Sequence, residues 1–305
     1  MRRHNLRIAG LTAAGVALGC HSACGPRRSF DPFGIVSLIR KAIDSGVTLV
    51  DCCTGSDPAI APVIGRAIGR REVPVLLSVR SPSRDVRSEC DSSLRRLGID
   101  RIDLYYLSPA AGRPVEYLMT AAAELVEAGK IRHIGLCDVT AEQLRQAHAF
   151  HPVTALVAEY SLLARQVEGG LLAAAREHAM AVIAYRPLAG GWLTGRFPSA
   201  DYASYRDRLR SDLRLQSAQV DAAIGHLVVA EQSAAELDLG LSRLALAWLL
   251  AQGEDVIPVA GTCDQVHLEM NLAAAAVRLP PASLARLSAR PPAGPGRLNG
   301  DERAE

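Results

Sequence analysis

The chain carries no excess of one charge. Thirty-four Lys and Arg face 32 Asp and Glu, which leaves a net charge of +2 over 305 residues. Aromatic residues make up only 4% of the sequence, so no basic stretch is interleaved with stacking rings. Both absences exclude a nucleic-acid or anionic-membrane partner as the expectation. No apolar run reaches the roughly 20 residues that a membrane-spanning helix needs. The seven cysteines are odd in number and form no C-x-x-C pair or disulfide-framework spacing. Reduced thiols, a cytoplasmic location and no metal site are therefore expected. The partner left is a small-molecule substrate; oligomeric state is open.

The N-terminus has two readings. M-R-R-H-N-L-R followed by an apolar stretch ending at Cys20 has the order of a secretory signal, even a lipoprotein one. The alternative is a β-hairpin, with L-R-I-A-G-L-T, a turn, and V-A-L-G-C as the first strand of a barrel. Gly10, Thr12 and Gly15 interrupt the apolar stretch, which favours the hairpin.

What the chain does have is a series of short apolar segments, each ending at a polar or reactive residue. They cover 47–53, 73–80, 102–108, 131–138, 153–160, 181–188 and 255–262. Helical patterns separate them: 33–46 ends at a Gly, 86–98 behaves likewise, 120–128 is stopped by Gly129, and Thr140 and Glu142 open another. Strands alternating with helices predict an α/β fold, a (β/α)8 TIM barrel whose active site forms where the strands end. A single domain is expected over 1–289, with a disordered tail over 290–305. The Arg-rich stretch 196–219 reads as an irregular functional excursion before the last strand, and 272–289 reads as one helix. The strand-end residues Asp51, Ser56, Arg80, Ser108, Cys137 and Tyr185 are the first candidates for chemistry.

The stretches L-R-R-L-G-I-D-R-I-D-L-Y-Y-L (94–107), E-A-G-K-I-R-H-I-G-L (127–136), A-Y-R-P-L-A-G-G-W-L-T-G (184–195) and V-I-P-V-A-G-T (256–262) resemble the aldo-keto reductase superfamily in order and spacing. That resemblance covers nearly the whole chain. It implies a barrel of that type with an N-terminal hairpin, and carbonyl reduction with NADPH by an Asp, Tyr, Lys and His. Asp51 fits the Asp. Ser56 stands at the Tyr position, Arg80 at the Lys and Ser108 at the His. A Ser hydroxyl is a much weaker acid than a phenol, and a guanidinium does not shuttle protons. Ordinary carbonyl reduction is therefore expected to be lost or very slow.

The cofactor positions implied by the resemblance are mixed. Tyr185 matches the aromatic that stacks on the nicotinamide, Gly261 and Thr262 part of the phosphate-contacting turn, and Asn271 an adenine contact. Cys137 and Asp138 replace the carboxamide contacts, and Val157 replaces a Gln. Cys263 and Asp264 stand where a basic pair is usual, and a carboxylate there repels a 2′-phosphate. The expectation is that no cofactor is needed, with NADP as the alternative.

Several residues carry two readings. Asp51 with Arg80 is either a working acid/base pair or a structural ion pair. Cys52, Cys53 and Cys137 are either nucleophilic thiols or small buried packing groups. Glu159 is either a base or structural. Arg186 either binds a substrate anion or bridges to 196–219. Retention of the barrel with loss of most of the redox tetrad leads to non-redox acid/base chemistry on a small biosynthetic intermediate, by a lyase, dehydratase, isomerase or cyclase. Asp51 or Asp138 would be the base, with Arg80 and Arg186 holding anionic oxygen. The alternatives are a nicotinamide-dependent oxidoreductase with an altered tetrad, and an inactive binding protein.

Overall fold

A computed structural model describes residues 15–20, 31–52, 59–69, 76–80, 85–109, 114–197 and 199–289. The hairpin segment 6–12, Cys53, Ser56 and the tail 290–305 lie outside the described residues. Eight strands follow one another: β1 (Ala17–Gly19), β2 (Leu49–Cys52), β3 (Leu76–Arg80), β4 (Ile102–Leu107), β5 (Ile131–Cys137), β6 (Ala155–Glu159), β7 (Ala181–Tyr185) and β8 (Val256–Gly261). Each pairs in parallel with the next, and β8 returns to β1 through Ala17↔Val259 and Gly19↔Gly261. The barrel is closed, so no strand edge is left unpaired. This is the (β/α)8 architecture expected from the sequence.

Helices cover the outside because each has one apolar stripe to bury. Helix α1 (Pro32–Asp44) starts where Asp31 accepts from the backbone N–H of Phe33 and Gly34, and it buries Ile35, Leu38, Ile39, Ala42 and Ile43. Helices α2 (Ile60–Ile68) and α3 (Val86–Leu97) follow, the latter capped by Asp85 and stopped at Gly98 with φ 66°. Helix α4 (Val115–Glu127) begins earlier than the sequence suggested, because Val115, Leu118 and Met119 continue its buried stripe. Helix α5 (Ala141–Phe150) is opened by a reciprocal cap in which Thr140 pairs with Gln143 rather than Glu142. Helix α6 (Leu171–Glu177) precedes β7.

Between β7 and β8 the chain is more ordered than expected. It forms 3-10 turns over Ala189–Thr194 and Ser199–Tyr205, helix α7 (Arg206–Asp212), a 3-10 turn at Ser217–Gln219, then α8 (Val220–Glu236) and α9 (Leu241–Leu250). A packed cluster explains the order: Trp192 stacks on Phe197 at 4.2 Å, and Arg196 and Arg208 lie over the Phe197 ring. The single helix expected over 272–289 is instead two. Helix α10 (Gln265–Ala273) ends in a 3-10 turn, and α11 (Pro281–Ser288) starts afresh after Pro280, since consecutive prolines cannot continue the earlier helix.

Alternation along each strand divides the core in two. One set of strand residues packs outward against the helices, among them Val50, Cys52, Val79, Tyr105 and Leu136. The other set fills the lumen, including Leu49, Leu76, Leu104, Tyr106, Cys137 and Ile183, with Tyr185 packed on top.

Candidate active site at the strand ends

The lumen-facing positions rise in steps of two to the C-terminal ends of the strands. On β2 they are Leu49 and Asp51; on β3 they are Leu76, Ser78 and Arg80; beyond β4 the series Leu104, Tyr106 reaches Ser108. Register places Asp51 beside Ser78 and Arg80 beside Tyr106. The fold therefore brings together Asp51, Arg80, Ser108, Cys137 and Asp138, which are far apart in sequence.

The partners differ from the pairing expected for Asp51. Arg80 does not form an ion pair with Asp51; its Nη2 lies 2.6 Å from Asp138 Oδ2. The physical reason is backbone geometry. Asp138 adopts the left-handed region, φ 59°, directly after β5, and its buried carboxylate faces the Arg80 guanidinium across the mouth. Ser108 joins the same cluster. Its hydroxyl donates to Asp138 at 3.0 Å, and Cys137 Sγ lies 2.8 Å from it. Asp51 instead accepts a hydrogen bond from the Ser78 hydroxyl at 2.9 Å.

Burial raises the Asp51 carboxyl from its ordinary 3.8 to about 6, opposed by the Ser78 hydrogen bond and then by the Arg80 charge. Part of the residue still meets solvent at the mouth. Asp51 thus exchanges its proton close to neutral pH and at the surface of the site, which suits a proton donor. Burial also drives the Cys137 thiol up to about 12, with Arg80 opposing and Asp138 adding to the rise. It stays a neutral thiol, unsuited to the nucleophilic reading. Cys52 packs outward against the helices, away from the mouth.

Arg186 also adopts the left-handed region, φ 51°. It donates to the Asp212 carbonyl at 2.7 Å and lies 3.5 Å from Glu159. Its bridging reading is the one its contacts support, and Glu159 serves as its counter-ion. Asp212 also accepts from Trp192 Nε1 at 3.1 Å, so it fastens the excursion to the end of β7.

The residues matched to a dinucleotide lie on the other side of the mouth. Tyr185 ends β7 and is half-buried against the lumen packing. Gly261 ends β8 and is exposed, while Thr262 and Asn271 are buried. Val157 does not follow β6 but lies within it, buried in the lumen, so it offers no polar contact. Asp264 accepts from the N–H groups of Val266 and His267 and caps α10 itself. Tyr185 leaves an aromatic side chain half-buried at this end of the barrel, the type of group on which a nicotinamide ring could stack. The end at α10 keeps a carboxylate at the helix N-terminus, where an anion would otherwise be favoured.

Two residues of this site escaped the sequence reading: Ser78 and Tyr106. Counting back two from Arg80 and from Ser108 along their strands finds both.

Comparison with known proteins completes the assignment. A protein of Schizosaccharomyces pombe named aldo-keto reductase yakc [NADP(+)] is 38% identical over 212 residues, which is 68% of this chain. The match spans 62% of that protein's length. Among solved structures, an aldo-keto reductase from Klebsiella pneumoniae in complex with NADPH superposes with a TM-score of 0.74 at 23% identity, over 94% of this chain and 95% of that one. The glycerol dehydrogenase of Gluconobacter oxydans gives 0.75 at 23%, over 91% of each. The expectation of a cofactor-independent chain is corrected by these findings: the yakc protein carries NADP(+) in its name, and two Klebsiella pneumoniae structures hold NADPH in one case and NADP with acetate in the other. The sequence pattern of the Aldo/keto reductase family matches residues 16–290, and with the closed barrel and the yakc identity it follows that this chain belongs to the aldo/keto reductase family.

Proposed function

We propose that this chain is an NADP-dependent oxidoreductase that interconverts a small carbonyl compound and its alcohol, with a proton-handling group altered from the family pattern. The observation that carries the reading is the 38% identity to a relative named for NADP(+) within a family-wide match. The half-buried Tyr185 at the end of β7 supports it. When bound, the reduced nicotinamide supplies hydride to the carbonyl carbon.

Tyr185, Gly261, Thr262 and Asn271 would hold the dinucleotide. Asp51 supplies the proton: its O–H breaks as a new O–H forms on the substrate oxygen, and water at the mouth later restores it. A carboxyl with its pKa near 6 is a better donor at neutral pH than a serine hydroxyl. Arg80, fixed by Asp138, places positive charge beside the developing oxyanion. The neutral Cys137 and Ser108 hold that pair in place.

Titration of the purified chain with NADPH and with NADH, followed by nicotinamide fluorescence, tests binding. Loss of nicotinamide absorbance with a panel of small aldehydes and ketones tests turnover. Binding of NADPH with turnover of one class supports the reading; binding of neither dinucleotide overturns it.

A further inference from the structure

Tyr106 occupies an unusual place. It projects from β4 into the lumen, is 1% exposed, and its hydroxyl has no hydrogen-bond partner. The ring is accommodated by Gly135 on the neighbouring strand, where a Cβ would come within 2.7 Å of Tyr106 Cδ1. The phenol is therefore built into the barrel floor below the mouth. A buried hydroxyl without a partner carries an uncompensated loss of hydration. Its surroundings are polar: Asp51 and Cys137 are close enough to raise its pKa, and Ser78 opposes the rise. Burial, then the Asp51 charge, keep the phenol protonated and hence a donor.

Ser78 gives its own proton to Asp51 Oδ1, which leaves the lone pairs of Ser78 Oγ open to a donor. Ser78 and Tyr106 lie on the adjacent strands β3 and β4, and a small shift of the phenol oxygen toward Ser78 Oγ would complete a chain from Tyr106 to Ser78 to Asp51. Such chains strengthen each member when the terminal acceptor is charged. We propose that Tyr106 is a positioning residue for proton transfer, its hydroxyl donating through Ser78 to stabilise the carboxylate that Asp51 becomes on giving its proton to a substrate oxyanion. This rests on the proton-donor role given to Asp51 above.

Among the described residues, the other groups facing Asp51 are Arg80 on β3, Cys137 on β5 and, through Arg80, Asp138. The neighbouring strands β1 and β8 present Gly19 and Gly261, which do not titrate. The chain through Ser78 is thus a proton-donating route to Asp51 separate from the Arg80 charge.

The test reads the Asp51 carboxyl directly. The protonated C=O stretch that disappears in Asp51→Asn is followed by infrared spectroscopy against pH in the full chain, without cofactor or substrate. Tyr106→Phe and Ser78→Ala are each expected to raise the midpoint by about one pH unit, since each removes a donor to the charged form. Difluorotyrosine at position 106, a stronger donor of nearly the same shape, is expected to lower it. A folded Tyr106→Phe protein with an unmoved midpoint overturns the proposal, as does an unmoved midpoint with difluorotyrosine if the Phe variant does not fold. Absence of turnover in the unaltered chain, with these midpoint shifts intact, would sink the functional reading and leave the coupling standing. Turnover with unmoved midpoints would do the reverse.

Discussion

Because its carboxyl is largely withdrawn from water, Asp51 keeps a proton in the folded chain at pH values where the unfolded chain has released it. A raised folded pKa contributes stability that is fully present below the ordinary 3.8 and is lost as pH rises through about 6. Asp51→Asn keeps an oxygen for the Ser78 hydroxyl and removes the buried charge. It is expected to stabilise the fold at pH 8 by on the order of 2 kcal/mol, after discounting for the solvent-facing edge, and hardly at all at pH 4. Urea unfolding at the two pH values measures this; equal gains would refute the charge argument. The same variant should lose carbonyl reduction. In the unaltered chain, kcat should fall as pH rises above about 6, since the donor is the protonated form. Arg80→Met leaves the buried Asp138 carboxylate without its cation, and a loss of about 2 kcal/mol is expected in thermal unfolding.

Helix packing carries its own constraints. Gly65 on α2 lies against the end of α3, where a Cβ would fall 1.8 Å from the Leu97 carbonyl oxygen. The obstacle is backbone, which cannot swing aside as a side chain does. Gly65→Ala should therefore separate α2 from α3 and lower stability by about 3 kcal/mol, readable as a fall in Tm. The excursion after β7 is held differently, through Trp192 and Arg208 on the Asp212 side chain. Asp212→Ala removes both while Arg186 keeps its bond to the backbone carbonyl. The expected result is faster tryptic cleavage within 196–219, at Arg206, Arg208 and Arg210, with little change in the global unfolding midpoint. Strands and most helices were legible because short continuous apolar runs differ from apolar residues spaced at 3.6. The excursion was not, since Trp192, Phe197 and the arginines gain order only by meeting one another across a turn of chain. The break before α11 was legible in principle from Pro280 and Pro281, but the apolar residues on either side masked it.

At the scale of the barrel, a ligand that binds only the folded chain must stabilise it. NADPH at about 100 times its Kd is expected to add about 2.7 kcal/mol to unfolding, seen as a rise in Tm. An unchanged Tm at saturating NADPH would count against the proposed cofactor. NADH belongs in the same experiment because Asp264, which caps α10, lies where the resemblance expects a basic residue.

The succession of strands and helices that makes a barrel was determined by the sequence alone, because apolar runs and turn residues act locally and repeat along the chain; the family was signalled by the resemblance of particular stretches. The pairing at the mouth was decided only by the tertiary structure. Nothing in the sequence orients Arg80 toward Asp138 and away from Asp51; that follows from strand register and from the left-handed backbone at Asp138. Nor does sequence place the Tyr106 phenol in the hollow left by Gly135 beside Ser78. Which groups share a buried charge depends on distances across strands, and those exist only once the barrel has closed.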